Sequence, residues 1–198
     1  MAGIPEFLLT SFLIELTPGP NMAYLAALAL SRGRKPALAA VAGVALGLML
    51  LGIAAAVGLQ ALVLASPWLY HSIRAAGFLY LLWLAWETWQ PPEAASREGE
   101  AFDGFRKGLI TNLLNPKAGV FYIAVLPAFV NPLAGNVAVQ STILALLYVS
   151  VATIIHIAIV LFANAAGHAY VSSDRIVSIR RFLALGLVAV AVWFLLKT

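Results

Sequence analysis

Residues 16–25 of this 198-residue chain read LTPGPNMAYL, and the Pro-Gly-Pro at 18–20 decides how the surrounding apolar stretch folds. A proline removes a backbone donor and clashes with the preceding helical turn, so two prolines around a glycine predict a broken helix rather than a bent one. We expect a new half-helix to begin near Asn21. Its free N–H groups and the positive end of its dipole suit a carboxylate.

The composition around this motif is that of a membrane protein. The chain is 63% hydrophobic and 10% charged, with a mean hydropathy of +0.96, whereas soluble domains are about 45–50% apolar and about 25% charged. Charges and prolines divide it into apolar segments long enough to cross a bilayer, at residues 4–30, 37–65, 68–90, 104–130, 137–170 and 176–196. None alternates as a membrane β-strand does, so we expect an all-α polytopic protein with six transmembrane helices.

The same counts exclude several classes of protein. We expect residues 1–198 to form a single transmembrane domain, because the six spans leave no room for a separate soluble domain. The chain has no cysteine and so cannot form a thiolate metal site. We also expect no other metal and no cofactor. Motifs of intramembrane or serine hydrolases are missing, and the only aspartates, Asp103 and Asp174, fall in loops, so we expect no enzyme. The 12 basic residues are scattered, which argues against nucleic-acid binding.

The basic residues instead predict an orientation. Each of the loops 31–36, 91–107 and 171–181 carries three, nine in all, against only Arg74 and Lys197 on the other side. The positive-inside rule therefore places these loops in the cytoplasm and both termini outside, in a bacterial inner membrane. We interpret Glu87 and the acidic loop 91–104 as solvated.

The motif at 16–25 has a counterpart at 114–123, which reads LNPKAGVFYI. Pro18 and Pro116 lie 98 residues apart, as do Tyr24 and Tyr122. Halves of about 1–99 and 100–198 hold three spans each, an odd number, so the second half is inserted upside down. Two inverted three-helix repeats with proline-broken helices 1 and 4, broken near mid-membrane, are typical of a secondary transporter whose site lies between the repeats.

Two charges at this depth are the strongest candidates for function. Lys117 costs at least about 2.5–3.5 kcal/mol at the bilayer centre, so we expect it to face the interior and pair with a carboxylate or a substrate. Glu15 is its candidate partner, a ligand for a substrate ammonium group, or a proton carrier. A static Glu15–Lys117 pair that only holds the halves together is an open alternative. His156, in the fifth segment, either relays protons or packs as a neutral histidine.

The expected substrate site gathers the polar and helix-breaking residues of both breaks: Glu15, Thr17, Pro18, Gly19, Pro20, Asn21, Asn112, Asn115, Pro116 and Lys117. For each asparagine taken singly, we favour a role in hydrogen bonding the backbone groups that a helix break leaves without partners, rather than a role in binding a ligand. Glu15 and His156 are the candidates for proton coupling. Gly43 and Gly47 permit a close helix contact, within the chain or between copies.

Several stretches carry a family likeness. They are 16–22 (LTPGPNM), 31–34 (SRGR), 76–81 (AGFLYL), 115–118 (NPKA) and 126–130 (LPAFV), together with Gly43 and Gly47. In these the chain resembles the lysine exporter / homoserine-threonine resistance (LysE/RhtB) family of amino-acid exporters, over nearly its whole length. The resemblance implies a bacterial inner-membrane exporter of amino acids or related small metabolites, driven by the proton gradient.

We therefore expect a secondary active exporter that works by alternating access, with one three-helix half rocking against the other in the lipid bilayer. The alternative is a transporter or channel for a different solute, an inorganic cation or a hydrophobic amine, which Glu15 would bind directly. A homodimer is compatible with so small a transporter, although no residue demonstrates one.

Overall fold

The computed structural model describes residues 3–58, 66–90, 99–170, 178, 181–189 and 191–192, and within them there are helices and no strand. We label the helices α1 (Ile4–Leu16), α2 (Pro20–Arg32), α3 (Arg34–Ala56), α4 (Pro67–Trp89), α5 (Glu100–Leu113), α6 (Pro116–Val120) and α7 (Val137–Tyr170). Between α6 and α7 lie a π-helical turn, Phe121–Val125, and the 3-10 turns Leu126–Phe129 and Pro132–Ala134. Residues 181–189 are also helical. The all-α prediction is confirmed.

The first break lies where the Pro-Gly-Pro motif predicts it. α1 ends at Leu16, and Thr17 is extended because a residue before proline avoids the helical conformation. α2 then begins at Pro20, which occupies its first turn, where the missing N–H removes no helical hydrogen bond. The new helix therefore starts one residue before the position expected from the sequence.

The second break lies at Leu114 and Asn115. α5 ends at Leu113 and α6 begins at Pro116, with a bend of 50° between α5 and Pro116–Phe129. The Asn115 side chain accepts a hydrogen bond from the backbone N–H of Lys117 at 3.0 Å and so caps α6. Asn115 thus has the backbone role that the sequence favours.

Glycines bring α3 and α5 into backbone contact. A Cβ atom added at Gly43 would lie 2.0 Å from the Phe105 carbonyl oxygen, and one at Gly108 would lie 2.2 Å from the Ala40 carbonyl oxygen. The close contact predicted for Gly43 is therefore made within the chain. Because α3 belongs to the first half and α5 to the second, this packing joins the two halves.

Two apolar clusters flank the breaks. One contains Phe7 of α1 with buried residues of α3, α6 and α7, and the other contains Tyr24 and Leu25 of α2 with residues of α3, α4 and α7. The break at 17–19 lies between the α1 and α2 members of these clusters. Large apolar side chains such as Phe162 and Trp86 are exposed on the outside, as on a surface that faces lipid.

Not every predicted span is recovered. In the described part of the chain, α3 and residues Val137–Gly167 are long and apolar enough to cross a membrane, and α5 with Pro116–Phe129 forms a third candidate if the bent pair is one span. The first predicted segment consists of two 13-residue helices, each too short to cross alone. Much of the sixth segment lies outside the described residues, as do the topology residues Arg97, Arg175, Arg180 and Lys197. The six-span inverted repeat therefore stays a prediction.

Candidate functional site

The two helix breaks meet at Lys117, in the first turn of α6. Lys117 Nζ donates hydrogen bonds to the carbonyl oxygens of Thr17, at 2.9 Å, and Glu15, at 3.5 Å. Carbonyls in the last turn of a helix have no N–H one turn ahead to bond, and a cation is favoured there by the negative end of the helix dipole. Lys117, in the second half of the chain, therefore binds the free carbonyl groups at the helix break in the first half.

The Glu15 carboxylate lies beside this contact and is 4% exposed. Its Oε1 accepts a hydrogen bond from the Tyr148 hydroxyl at 2.5 Å. Its Oε2 lies 3.7 Å from Lys117 Nζ and 3.4 Å from His156 Nε2. The structure thus brings Glu15 close to Lys117, its candidate partner from the sequence, and also close to His156.

Tyr148 is the member of this centre that the sequence reasoning missed. A fully buried tyrosine needs a partner for its hydroxyl group, and a deep carboxylate is a strong acceptor. Tyr148 also lies about two turns from His156 on α7, so both side chains can face the same neighbour. The spacing of the Tyr148 hydroxyl group and the His156 imidazole was the feature of the sequence that could have identified Tyr148.

Several polar atoms near the breaks are buried without a hydrogen-bond partner in the described chain. They are Ser11 Oγ, Tyr122 OH, Thr153 Oγ1 and His156 Nδ1, whereas His156 Nε2 faces Glu15 Oε2 at 3.4 Å. Ser11 lies one turn before Glu15, and Thr153 lies one turn before His156. A buried polar atom left unpaired costs about 1–3 kcal/mol, so atoms of this kind suit a proton or a polar ligand.

An asparagine pair joins the start of α2 to the end of α5. Asn21 Nδ2 donates to Asn112 Oδ1 at 2.8 Å, and both side chains are buried. Gly47 makes room for this pair, because a Cβ atom there would lie 2.8 Å from Asn112 Nδ2. Asn21 Oδ1 and Asn112 Nδ2 remain without a partner and offer one acceptor and one donor.

The other predicted site residues are backbone elements of the breaks. Gly19 and Pro20 are buried, whereas Thr17 and Pro18 are exposed. Pro116 opens α6 at intermediate exposure. The Thr17 hydroxyl group donates to the Leu13 carbonyl oxygen at 3.3 Å, so its carbonyl group, and not its hydroxyl group, faces Lys117.

A second charged cluster, here called the charge network, consists of Arg32, Glu87, Asp103 and Lys107. Lys107 Nζ contacts Glu87 Oε1 and lies 2.6 Å from Asp103 Oδ2. Arg32 reaches Glu87 at 3.3 Å and Asp103 at 3.8 Å. Contrary to the expectation from the sequence, Glu87 and Asp103 are not freely solvated, because Glu87 pairs with two cations, Asp103 pairs with three, and the carboxylates are 27% and 30% exposed.

Basic residues from different predicted loops lie at the same end of the bundle as this network. Arg32 and Lys107 both contact Glu87, near the end of α4. The Arg181 guanidinium group lies 5.3 Å from the ring centroid of Trp89, the last residue of α4. Arg32, Lys107 and Arg181 come from the first, second and third basic loop respectively.

An apolar helical bundle that is broken twice at buried charges has the features of a polytopic membrane transporter. The chain belongs to the LysE type translocator family, whose model matches residues 12–198. It is accordingly a membrane protein, and the members of a translocator family are transporters rather than enzymes. The match therefore confirms the predicted membrane protein, the expectation that the chain is no enzyme, and the resemblance to the family.

Several similar curated proteins are named as efflux proteins. The threonine efflux protein of Escherichia coli (strain K12) is 33% identical over 132 residues, which cover 62% of this chain and 64% of that protein. The leucine efflux protein of Enterobacter sp. (strain 638) is 31% identical over 145 residues, which cover 70% and 69%. The homoserine/homoserine lactone efflux protein of Salmonella typhimurium is 31% identical over 131 residues, which cover 64% of each.

These matches are partial, and the first of them span slightly less than two thirds of the relatives' own length. No solved structure matches the chain.

Proposed function

We propose that this chain is a secondary active exporter of amino acids or related small metabolites in a bacterial inner membrane. The names of the relatives, which are efflux proteins for threonine, leucine and homoserine or its lactone, support an amino-acid substrate. The observation that carries the proposal is the contact of Lys117 with Glu15 and with the end of α1. It places buried charges where two broken helices meet, which is where a transporter binds its substrate.

The proposed topology has six spans in two inverted halves, with the basic loops in the cytoplasm and both termini outside. The position of Arg32, Lys107 and Arg181 at one end of the bundle supports this orientation, because they come from three separate loops.

The proposed substrate site lies at the N-terminal end of α2. The backbone N–H groups of Asn21 and Met22 precede the first helical hydrogen bond and suit the substrate carboxylate. The unpaired amide atoms of Asn21 and Asn112 add a donor and an acceptor beside it. The Glu15 carboxylate would bind the substrate ammonium group.

Proton coupling in this proposal uses Glu15 and His156. A proton and a substrate ammonium group neutralise the same carboxylate, so the two compete for it. His156 Nε2 lies 3.4 Å from Glu15 Oε2, close enough to pass a proton to it. Competition at one carboxylate exchanges an inward proton for an outward substrate while the protein alternates between two access states.

A second candidate function is the export of a hydrophobic amine. The ring of Tyr148, whose hydroxyl group binds Glu15, stacks on Phe121 with ring centroids 3.5 Å apart and meets Tyr122 edge-on at 5.6 Å. A carboxylate beside a cluster of aromatic rings also suits an organic cation that carries no carboxylate group.

A thermal-shift comparison separates these candidates. The detergent-purified protein is melted with threonine, leucine or homoserine, with their methyl esters, and with the matching decarboxylated amines. We expect an amino acid to raise the Tm and its ester and amine to have little effect, because both lack the carboxylate that α2 binds. Equal stabilisation by ester and amine would favour the second candidate. If none of them binds or is exported from loaded vesicles, the proposed function is wrong.

A further inference from the structure

The charge network joins the two halves of the chain. Arg32 and Glu87 lie in the first half, and Asp103 and Lys107 lie in the second. Each carboxylate is bound by a cation of its own half and by one of the other half. Within the network itself two positive and two negative charges balance, and the exposed Arg106 adds a further cation at Asp103.

Lys107, on α5, makes three contacts with side chains of α4. Besides its ion pair with Glu87, its ammonium group lies 5.2 Å from the ring centroid of Trp83, and its backbone carbonyl oxygen accepts from the Tyr80 hydroxyl group at 3.3 Å. These three partners follow one another at three- and four-residue intervals along α4, on one face of the helix. The contact between α4 and α5 therefore depends on charge and polar contacts.

The contact between α3 and α5 is of a different kind. At Gly43, Gly104 and Gly108 the two backbones touch, and a Cβ atom added at any of these would lie 2.0–2.4 Å from a carbonyl oxygen. Backbones packed this closely cannot slide without a clash, whereas ion pairs can exchange partners. In the described chain, α3 and α5 thus form the fixed part of this end, and the charge network forms the part that can open.

A small cavity lies beside the network. It measures about 30 Å³, room for about two water molecules, and is lined by three of the network residues, Arg32, Glu87 and Lys107, together with residues of α2 and α4 that include Tyr24 and Leu28. Tyr24 OH and Glu87 Oε2 are buried there without a hydrogen-bond partner among the residues that the structure describes. Leu28 lies one turn deeper along α2 than Arg32, towards the break that begins the helix. The cavity therefore extends from the network along α2 in the direction of the proposed substrate site.

We propose that Arg32, Glu87, Asp103 and Lys107 form the cytoplasmic gate of the exporter, closed in this structure, and that it opens when Glu87 separates from Lys107. The proposal rests on the proposed function and orientation. Lys107 is only 7% exposed, and burying its charge costs free energy. A role in exchanging ion-pair partners explains why a charged residue lies at this position. A zwitterionic substrate carries one charge of each sign, so it can replace Lys107 at Glu87 and Glu87 at Arg32 without leaving either unpaired.

Cysteine labelling tests the gate, since the chain contains no native cysteine. Leu28→Cys is placed in the cavity, and a membrane-impermeant maleimide is applied to the cytoplasmic face of inside-out vesicles. We expect slow labelling in this background and at least tenfold faster labelling when Lys107→Met or Glu87→Gln is added. Lys107→Arg, which keeps the charge, should label as slowly as the parent.

Two controls separate a gate from a structural brace. Arg106→Gln removes an ion pair of the same Asp103 but at a side chain that is 59% exposed, so labelling of Leu28→Cys should stay slow. Ala152→Cys, fully buried on α7, should stay unlabelled in the Lys107→Met background unless the whole bundle loosens. Unchanged labelling of Leu28→Cys, or an equal rise at Ala152→Cys or with Arg106→Gln, would overturn the proposal. Labelling needs no substrate, so the gate and the proposed amino-acid export can fail separately.

Discussion

Two lysines of the second half, Lys107, which is buried, and Lys117, which is partly buried, use the same side chain in different ways. Lys107 lies between two carboxylates, each also held by Arg32, and every charge around it has an opposite partner. Lys117 instead bonds backbone carbonyls at the end of α1, and its carboxylate neighbour, Glu15, lies 3.7 Å away.

The surroundings of the two lysines differ in the same sense. Around Glu15 and Lys117, Ser11 Oγ, Tyr122 OH and His156 Nδ1 are buried without a hydrogen-bond partner among the described residues. The charge network also has two such atoms, Tyr24 OH and Glu87 Oε2, but each of its charged groups has at least two ion-pair partners. A centre with spare donors and acceptors can bind a ligand, whereas a balanced network of ion pairs can hold two helices together. The difference therefore suggests a binding site at the breaks and a closing contact at the bundle end.

Gly108→Ala should break both regions at once, since α5 carries Lys107 and Asn112. The new Cβ atom would lie 2.2 Å from the Ala40 carbonyl oxygen, which belongs to backbone and cannot move alone. Overpacking of this kind costs about 3 kcal/mol or more, equivalent to a Tm lowered by roughly 6–12 °C. Gly119→Ala is the matched control, because no atom lies within 4 Å of its added Cβ. Equal Tm values for the two variants would contradict the packing described here.

Lys107→Met and Lys117→Met should differ in stability. Losing one partner of a buried pair costs 3–5 kcal/mol, and with carboxylates that are 27–30% exposed we expect about 2 kcal/mol for Lys107→Met. Lys117→Met should cost about 1 kcal/mol, since Glu15 keeps its hydrogen bond from Tyr148. Thermal melting in detergent checks the order, and a larger loss for Lys117→Met would mean that the Glu15–Lys117 pair is the static brace.

Much of the fold follows from local rules that the sequence displays. Pro18 and Pro116 predict the two breaks because proline acts on its own helix whatever surrounds it. Gly43 predicts a close helix contact for an equally local reason, the missing Cβ atom. The partner helix, α5, was not predictable, since nothing in the sequence says which backbone approaches a glycine.

The candidate site was predictable where burial alone is informative. Glu15 and Lys117 are conspicuous because charge is rare at membrane depth, and the structure places them together. Tyr148 and Glu87 were missed for opposite reasons. A tyrosine in an apolar helix resembles an ordinary core residue, and a glutamate near a helix end resembles a solvated one until tertiary contacts reveal its partners.

Glu15→Gln tests whether the centre at the breaks exchanges protons. Glutamine can still accept a hydrogen bond from Tyr148, but it offers no charge to a proton or an ammonium group. We expect proton-driven export in proteoliposomes with an imposed pH gradient to fall at least about tenfold, equivalent to about 1.4 kcal/mol. Glu6→Gln, an exposed residue of the same helix, should export normally. Wild-type export by Glu15→Gln would remove Glu15 from the mechanism.

The asparagine pair gives the smallest and most specific effect. Asn21→Ala or Asn112→Ala leaves one buried amide without its partner, which costs about 1 kcal/mol in stability, whereas removing both leaves neither amide unpaired. The double variant should therefore melt no lower than the less stable single variant, a non-additivity that thermal melting can resolve. Substrate binding should behave differently, since every one of these variants loses part of the donor and acceptor set at α2. Additive stability losses with normal substrate affinity would assign the pair to packing alone and move the carboxylate site away from Asn21.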